Sequence, residues 1–403
     1  MPRAVVITGC GVVSAAGNDL ESFWQALVRG HCLIQPLRSY ALPDMPARYG
    51  AEAVLGPDDA LPAVIDDRPT RSRCVQLALA AARRALDHAR LRGSAGLDEV
   101  GAVLGTTMGE ERQVGHLSEA WASQGAAAVA DDFHERADNH RLATCVAAQY
   151  GLGGPVMVNA TACSSGNAAQ AWAYDLVASG EAEVMLAGAA DTFTRLLFDG
   201  FGRMGALART VCRPFHRSRD GVAFGEGAAV LVLEAADHAR ARGARVLAEV
   251  AGYGMSNDAH HVTAPDPSGA GYALALSQAA ATLGTTRVGF VCAHGTGTPH
   301  NDASEVRAIK TVFGERATQI PVTSPKSIIG HTNGAAGALA SVACTLALLH
   351  QTVPPTANLD DPDPDFGLDF VTGQGRPTEV SACLNMSAGF GGFNVCMALR
   401  RAL

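Results

Sequence analysis

Short apolar, β-branched runs alternate with Gly/Ser turns and Ala/Leu-rich stretches through the first half of this 403-residue chain. AVVITG at 4–9, VGAVLGTT at 100–107, VMVNATA at 156–162 and VMLAGAA at 184–190 predict strands. Helices are expected between them. Val75, Leu79, Ala82 and Leu86 recur at helical spacing within 73–91, and a second helical pattern covers 167–178. Strand–turn–helix alternation of this kind predicts an α/β layered fold.

A second series begins near Arg245. VLAEVAGYGMSND, a helical pattern over 270–283, VGFVCAHG, VTSPKS, a Gly/Ala-rich helix and a terminal pair of strands follow in order. This series echoes the first, as a duplicated fold would, although the likeness is faint in the residues themselves. The expected division lies within 236–245, giving an N-terminal half of 1–240 and a C-terminal half of 241–403. Pro-rich segments at 42–69 and 353–364 read as surface excursions.

Composition narrows the function classes. Hydrophobic residues make up 48%, enough for a large core. A formal charge of −8 argues against general affinity for nucleic acid or anionic membrane. Ten cysteines without paired metal-type spacing fit a reducing cytoplasm. No signal peptide is recognised at the start, and the longest apolar helical stretch, 335–349, is short for a bilayer span. Lysine occurs only at 310 and 326, so a lysine inside a Gly/His-rich segment stands out.

Cys163 stands out among the ten cysteines. In VNATACSSGNAAQAW an apolar strand ends, small residues turn, and a helix begins, which places the sulfur near a helix N-terminus where a thiolate is favoured. Most of the other cysteines read as small buried apolar residues. His294 ends another strand in FVCAHGTGTPHNDASE, the place where α/β sites gather, whereas Asp302 and Glu305 read as residues of the helix start. His331 follows Lys326 by five positions in KSIIGH. A zinc site is the competing reading of two histidines and a cysteine; no HxxxH or CxxC spacing supports it, and no metal is expected. NMSAGFGGFN at 385–394 is glycine-dense, and its backbone amides could face a ligand as an oxyanion hole or form an ordinary β-turn.

Taken in order, TACSSG, AHGTGTPHND, KSIIGH and GFGG resemble the β-ketoacyl-[acyl-carrier-protein] synthase family, especially its type II elongating members. RPFHRSRDGVAFGEGAAVLVLE and VPPTANLD extend the resemblance over nearly the whole chain. It implies a thiolase-like fold, two βαβαβαβββ halves forming a five-layer αβαβα core, and decarboxylative condensation of an acyl group with malonyl carried on an acyl carrier protein. By motif, Cys163 corresponds to the acyl-accepting nucleophile. His294 and His331 correspond to the residues that stabilise the enolate, with Lys326 tuning the site. The amides of Cys163 and Phe390, in the loop with Gly389 and Gly391, correspond to the oxyanion hole and gate. Thr263, Thr296 and Thr298 correspond to contacts of the phosphopantetheine arm, and Met108 and Phe201 to the acyl pocket. No bound cofactor is implied, since the substrates ride on the phosphopantetheine of the carrier.

Two departures sharpen the expectation. Ala340 stands where the family commonly has the glutamate that pairs with the active-site lysine, and Ala388 and Phe393 replace Phe and Thr around the glycine loop. They point toward specialised metabolism. An acidic carrier should meet a basic entrance, with Arg68, Arg71, Arg73 and Arg203 as candidates. The partner subunit is either a second copy or a chain-length-factor-like chain. Alternatives are a priming or decarboxylating relative, a thiolase-like acyltransferase using coenzyme A esters and a second cysteine such as Cys383 or Cys396, and a Cys/His hydrolase.

Overall fold

All ten residues of the first strand, β1 (Val5–Ser14), are buried, so the apolar run continues past the predicted end at 9 through GCGVVS. The computed structural model describes residues 2–38, 40, 49–60, 62, 64–65, 68–69, 72–94, 96–129 and 137–402. Ten more strands share its sheet: β2 (Gly101–Gly105), β3 (Val156–Asn159), β4 (Val184–Asp191), β5 (Gly227–Ala235), β6 (Ala248–Asn257), β7 (Val288–Cys292), β8 (Pro321–Thr323), β9 (Asp369–Phe370), β10 (Ala382–Gly389) and β11 (Phe393–Arg400). Helices α1 (Leu20–Arg29), α2 (Arg73–His88), α3 (Glu111–Gln124), α4 (Arg141–Tyr150), α5 (Ser165–Ser179) and α6 (Arg195–Arg203) belong to the first half. They are followed by α7 (Ala236–Ala241), α8 (Ala270–Thr282), α9 (Pro299–Phe313), α10 (Lys326–Ile329) and α11 (Ala335–His350).

The strand order is β9-β8-β7-β10-β11-β6-β1-β5-β4-β2-β3. Read outward from the β6–β1 junction, the two sides match. Each begins with antiparallel pairs, β1–β5–β4 on one side and β6–β11–β10 on the other, and ends in parallel strands. The duplication that is faint in the residues is therefore explicit in the topology. The two sides meet through only three paired positions, Val5–Ile7 against Ala248–Val250.

Helices complete five layers. Helices α2 and α4 cover one outer face, α8 and α9 the other, and α5 and α11 lie back to back between the two halves of the sheet. The inner pair is built for close approach. A Cβ on Gly166 of α5 would lie 2.7 Å from both the Ala338 amide and the Gly334 carbonyl, so only glycine fits at that crossing. Alanines 168, 169, 171, 335, 338 and 343 of these two helices are buried in the same core cluster, as a low-charge, Ala-rich composition provides. Thr8 sits at a register shift in β1, where its hydroxyl donates to Glu234 at 2.7 Å and makes a polar residue tolerable in a buried strand.

Candidate active site

The nucleophile candidate sits on a strained turn. Strand β3 ends at Asn159, Ala162 adopts φ +50, and Cys163 follows on a 3-10 turn, 162–164, that leads into α5. Positive φ at an alanine is unfavourable and persists only where neighbours enforce it. Here Ser164 Oγ donates to the Thr161 carbonyl at 2.6 Å, and Ser165 Oγ donates to the Ala162 carbonyl at 2.6 Å while accepting the Thr161 amide at 2.9 Å. The small neighbours seen in the sequence thus act as clamps.

His294 follows β7. Glu305 of α9 accepts the backbone amides of His294 and of Gly295, the latter at 2.8 Å. One turn earlier, Asp302 accepts the amides of Phe215 at 2.7 Å and Gly297 at 3.2 Å. Neither carboxylate is a simple helix-start residue, as the sequence suggested; together they fold the His-Gly-Thr-Gly-Thr loop. His331 is held from the other half, donating its amide to Ala223 O at 2.8 Å and accepting the Gly225 amide at 3.0 Å. The two imidazoles lie nearly perpendicular with centroids 5.4 Å apart, and the Nδ1 atom of each is buried without a hydrogen-bond partner.

A cavity of about 230 Å³ joins these parts. Cys163, His294, His331, Phe201, Thr263, Thr296, Thr298, Ala388, Gly389 and Phe390 all line it. Gly389 abuts the nucleophile turn, since a Cβ there would lie 3.1 Å from the Cys163 amide. Phe390 stacks on Phe201, centroids 5.1 Å apart and planes 10° from parallel. Met108 lies outside this cavity wall. It packs instead beside the apolar cluster of Phe193, Leu197, Phe198 and Phe224, which Phe201 also joins. Gly391 faces outward, and Phe393 is 38% exposed. No group of three or more His, Cys, Asp or Glu side chains among the described residues is placed to hold a metal ion.

Electrostatics correct one expectation. Burial pushes the Cys163 thiol up to about 12, with the Lys326 ammonium working against the rise. The helix-terminal setting therefore does not by itself produce a resting thiolate. Burial, with Lys326 adding to it, holds both His294 and His331 well below the usual histidine range, so both rings are neutral donors near pH 7. Lys326 is 4% exposed and, with Ala340 in place of an acid, makes no ion pair among the described residues. Burial lowers it, and Cys292, Glu305, Cys163 and Cys212 pull the other way.

The basic-entrance candidates separate. Arg73 is committed to Glu226 at 2.7 Å, whereas Arg203 is exposed on α6. Arg71 and the side chain of Arg68 lie outside the described residues.

Comparison with known proteins agrees with the geometry. Residues 2–239 match the model for the β-ketoacyl synthase N-terminal domain, and 247–360 match that for the C-terminal domain. The chain is 34% identical to 3-oxoacyl-[acyl-carrier-protein] synthase 2 of Synechocystis sp., covering 99% of this chain and 98% of the relative. It superposes on the ishigamide ketosynthase/chain length factor with a TM-score of 0.94 and 35% identity, 100% of both chains being covered. A type II polyketide ketosynthase, solved with its acyl-carrier protein and bound to the hexaketide, gives 0.92 and 30%, again over 100% of both. No helix among the described residues is long and apolar enough to cross a membrane. With both domain models matched in sequence and the fold reproduced from end to end, this chain belongs to the β-ketoacyl synthase family.

Proposed function

We propose that this protein is the condensing subunit of a type II system, taking an acyl group from an acyl carrier protein onto Cys163 and extending it with malonyl on the same class of carrier. The observation that carries the reading is one cavity that brings a clamped cysteine, two neutral histidines and the Gly389–Phe390 loop together. The pathway is fatty-acid-like or polyketide biosynthesis, and Ala388 and Phe393 favour the latter.

The chemistry balances without a cofactor. Cys163 sulfur attacks the acyl thioester carbon, the carbon–sulfur bond to the carrier breaks, and the Cys163 proton passes to the departing thiolate, so that phosphopantetheine leaves as a free thiol. Malonyl thioester then loses carbon dioxide by breaking its bond to the carboxylate, leaving an enolate whose oxygen accepts hydrogen bonds from His294 and His331. The enolate carbon attacks the acyl carbon on Cys163. The amides of Cys163 and Phe390 receive the resulting oxyanion, which collapses as the carbon–sulfur bond breaks. Lys326 supplies positive charge to the nucleophile. Thr263, Thr296 and Thr298 line the approach taken by the phosphopantetheine arm, Phe390 on Phe201 acts as the gate, and Met108 with the adjoining aromatic cluster receives the acyl chain. On this reading the halves 1–240 and 241–403 contribute the nucleophile and the enolate-stabilising pair respectively.

A subunit of the same fold, either a second copy or a chain-length-factor-like chain, is the proposed partner. Strand β3 ends the sheet with Met157 38% exposed, and α3 has no buried residue and leaves Trp121 62% exposed. An unpaired strand edge and an uncovered helix suit such a partner. The thiolase reading is less well supported because Cys383 and Cys396 are buried in β10 and β11, away from the cavity.

The test is acylation and extension with a panel of acyl carriers and malonyl carrier, with and without a candidate partner, read by intact-protein mass. Wild type gains an acyl adduct and an extended product; Cys163→Ala gains neither. Absence of both in wild type with every carrier and partner overturns the proposal.

A further inference from the structure

Asp191, at the end of β4, is fully buried and is absent from the cavity wall, yet its carboxylate joins the two walls of the site. Oδ1 accepts the Thr106 hydroxyl and the Met108 amide, each at 2.9 Å. Oδ2 accepts the Thr107 amide at 2.8 Å and the Gly334 amide at 2.7 Å. Thr106–Met108 lead from β2 to the aromatic cluster, while Gly334 lies three residues after His331 at the start of α11. The Gly334 carbonyl in turn accepts the amide of Gly166, three residues after Cys163, at 2.9 Å. A single carboxylate thus ties the Met108 segment to the peptide that spaces the His331 turn from the nucleophile helix.

Packing alone does not fix that turn. Thr107 Oγ1, Thr332 Oγ1 and both polar atoms of the Asn333 side chain are buried there without partners, and Asn333 adopts φ +49. A seam with so many unpaired groups and a left-handed residue needs an anchor. Four charge-assisted hydrogen bonds provide it. The spacing is tight as well: a Cβ on Gly334 would lie 2.7 Å from Asp191 Oδ2 and 2.8 Å from the Thr107 amide.

We propose that Asp191 is a positioning residue that locks the His331–Gly334 turn to the Thr106–Met108 segment, so that the acyl chain seated beside Met108 sets the alignment of His331 with the malonyl thioester. This rests on the proposed condensation. On this coupling, malonyl decarboxylation stays slow until a suitable chain is in place, because alignment of His331 then depends on the occupied pocket.

The test is Asp191→Asn, which presents an amide NH₂ to one of the two donor pairs while preserving shape. Acylation of Cys163 is expected to continue. Condensation should fall in kcat by about tenfold or more with KM for malonyl carrier unchanged, the scale seen when a change away from the reacting atoms misplaces a catalytic group. The dependence of malonyl decarboxylation on acyl-chain length should flatten. Gly334→Ala, which keeps every donor and wedges a methyl into the contact, should give the same split. Should Asp191→Asn fail to fold, hydrogen exchange of wild type loaded with acetyl or with a long acyl group reports on residues 330–336, and protection there must change with chain length. Equal loss of acylation and condensation in a folded variant, retention of wild-type coupling, or exchange indifferent to chain length overturns the inference while leaving the proposed reaction standing. If wild-type Cys163 accepts no acyl group, both fall together.

Discussion

Replacing Lys326 by methionine isolates the charge that the structure sets beside Cys163. Lys326 is buried, and its field is the main influence opposing the burial that pushes the thiol up to about 12. A neighbouring opposite charge ordinarily moves a titration by roughly 1–3 units, so Lys326→Met should raise the thiol further and cut the thiolate fraction at fixed pH by roughly 10–1,000-fold. Alkylation by iodoacetamide, followed by intact mass from pH 7 to 9, reads this directly. Wild-type rates should climb about tenfold per pH unit across that window with no plateau, because the group titrates well above it. The variant's line should run parallel and lower, and Lys326→Arg should stay near wild type. Superimposed lines for wild type and Lys326→Met would refute the electrostatic role assigned to the lysine. A plateau near pH 8 in wild type would show instead that burial does not control the sulfur.

Other outcomes follow from the same geometry. Ala340→Glu places a buried carboxylate where the family resemblance pairs one with Lys326, and should slow Cys163 alkylation in the same direction as Lys326→Met; faster alkylation would contradict the charge argument. Phe201→Ala removes the stack on Phe390, worth about 0.5–1.5 kcal/mol, and should release the gate enough to raise acyl-enzyme hydrolysis several-fold, seen as a shorter lifetime of the Cys163 adduct. Arg242 donates to Glu234 at 2.6 Å, and Arg242→Met, which leaves that buried carboxylate with Thr8 and His238 alone, should cost about 1.5–3 kcal/mol, measured as a shift in urea midpoint. Burial raises Glu110 to about 7, so its carboxylate binds a proton in the folded state at a pH where the unfolded chain has lost it. Wild type should therefore gain stability relative to Glu110→Gln as pH falls from 8 to 5, by up to roughly 3 kcal/mol, and a pH-independent difference would exclude the linkage.

Residues whose chemistry lies within one motif are legible in the sequence alone. Cys163 and His294 each follow a strand inside a small-residue turn, His331 follows the short helix α10 in another, and the fold brings those three turns into one cavity. Asp191, Glu305 and Asp302 are not legible in those terms. Most of their partners are backbone amides, which leave no residue signature, and those of Asp191 lie 83 to 143 positions away. Glu305 on a helix after a turn looks like any acidic residue near a helix start until the His294 and Gly295 amides are seen to converge on it. The duplication is similarly hidden, because β1 and β6 share a place in the topology and little sequence. Arg73 shows the opposite limit: a basic residue expected at an entrance is held by Glu226, a partner 153 positions away.

The back-to-back placement of α5 and α11 means that each half supplies an interior wall of the other. Cut between 240 and 241, either piece would present an alanine-rich helix face to water with no charge to keep it dispersed. The two fragments should accordingly remain soluble only when produced together, as complementary parts of one obligate fold.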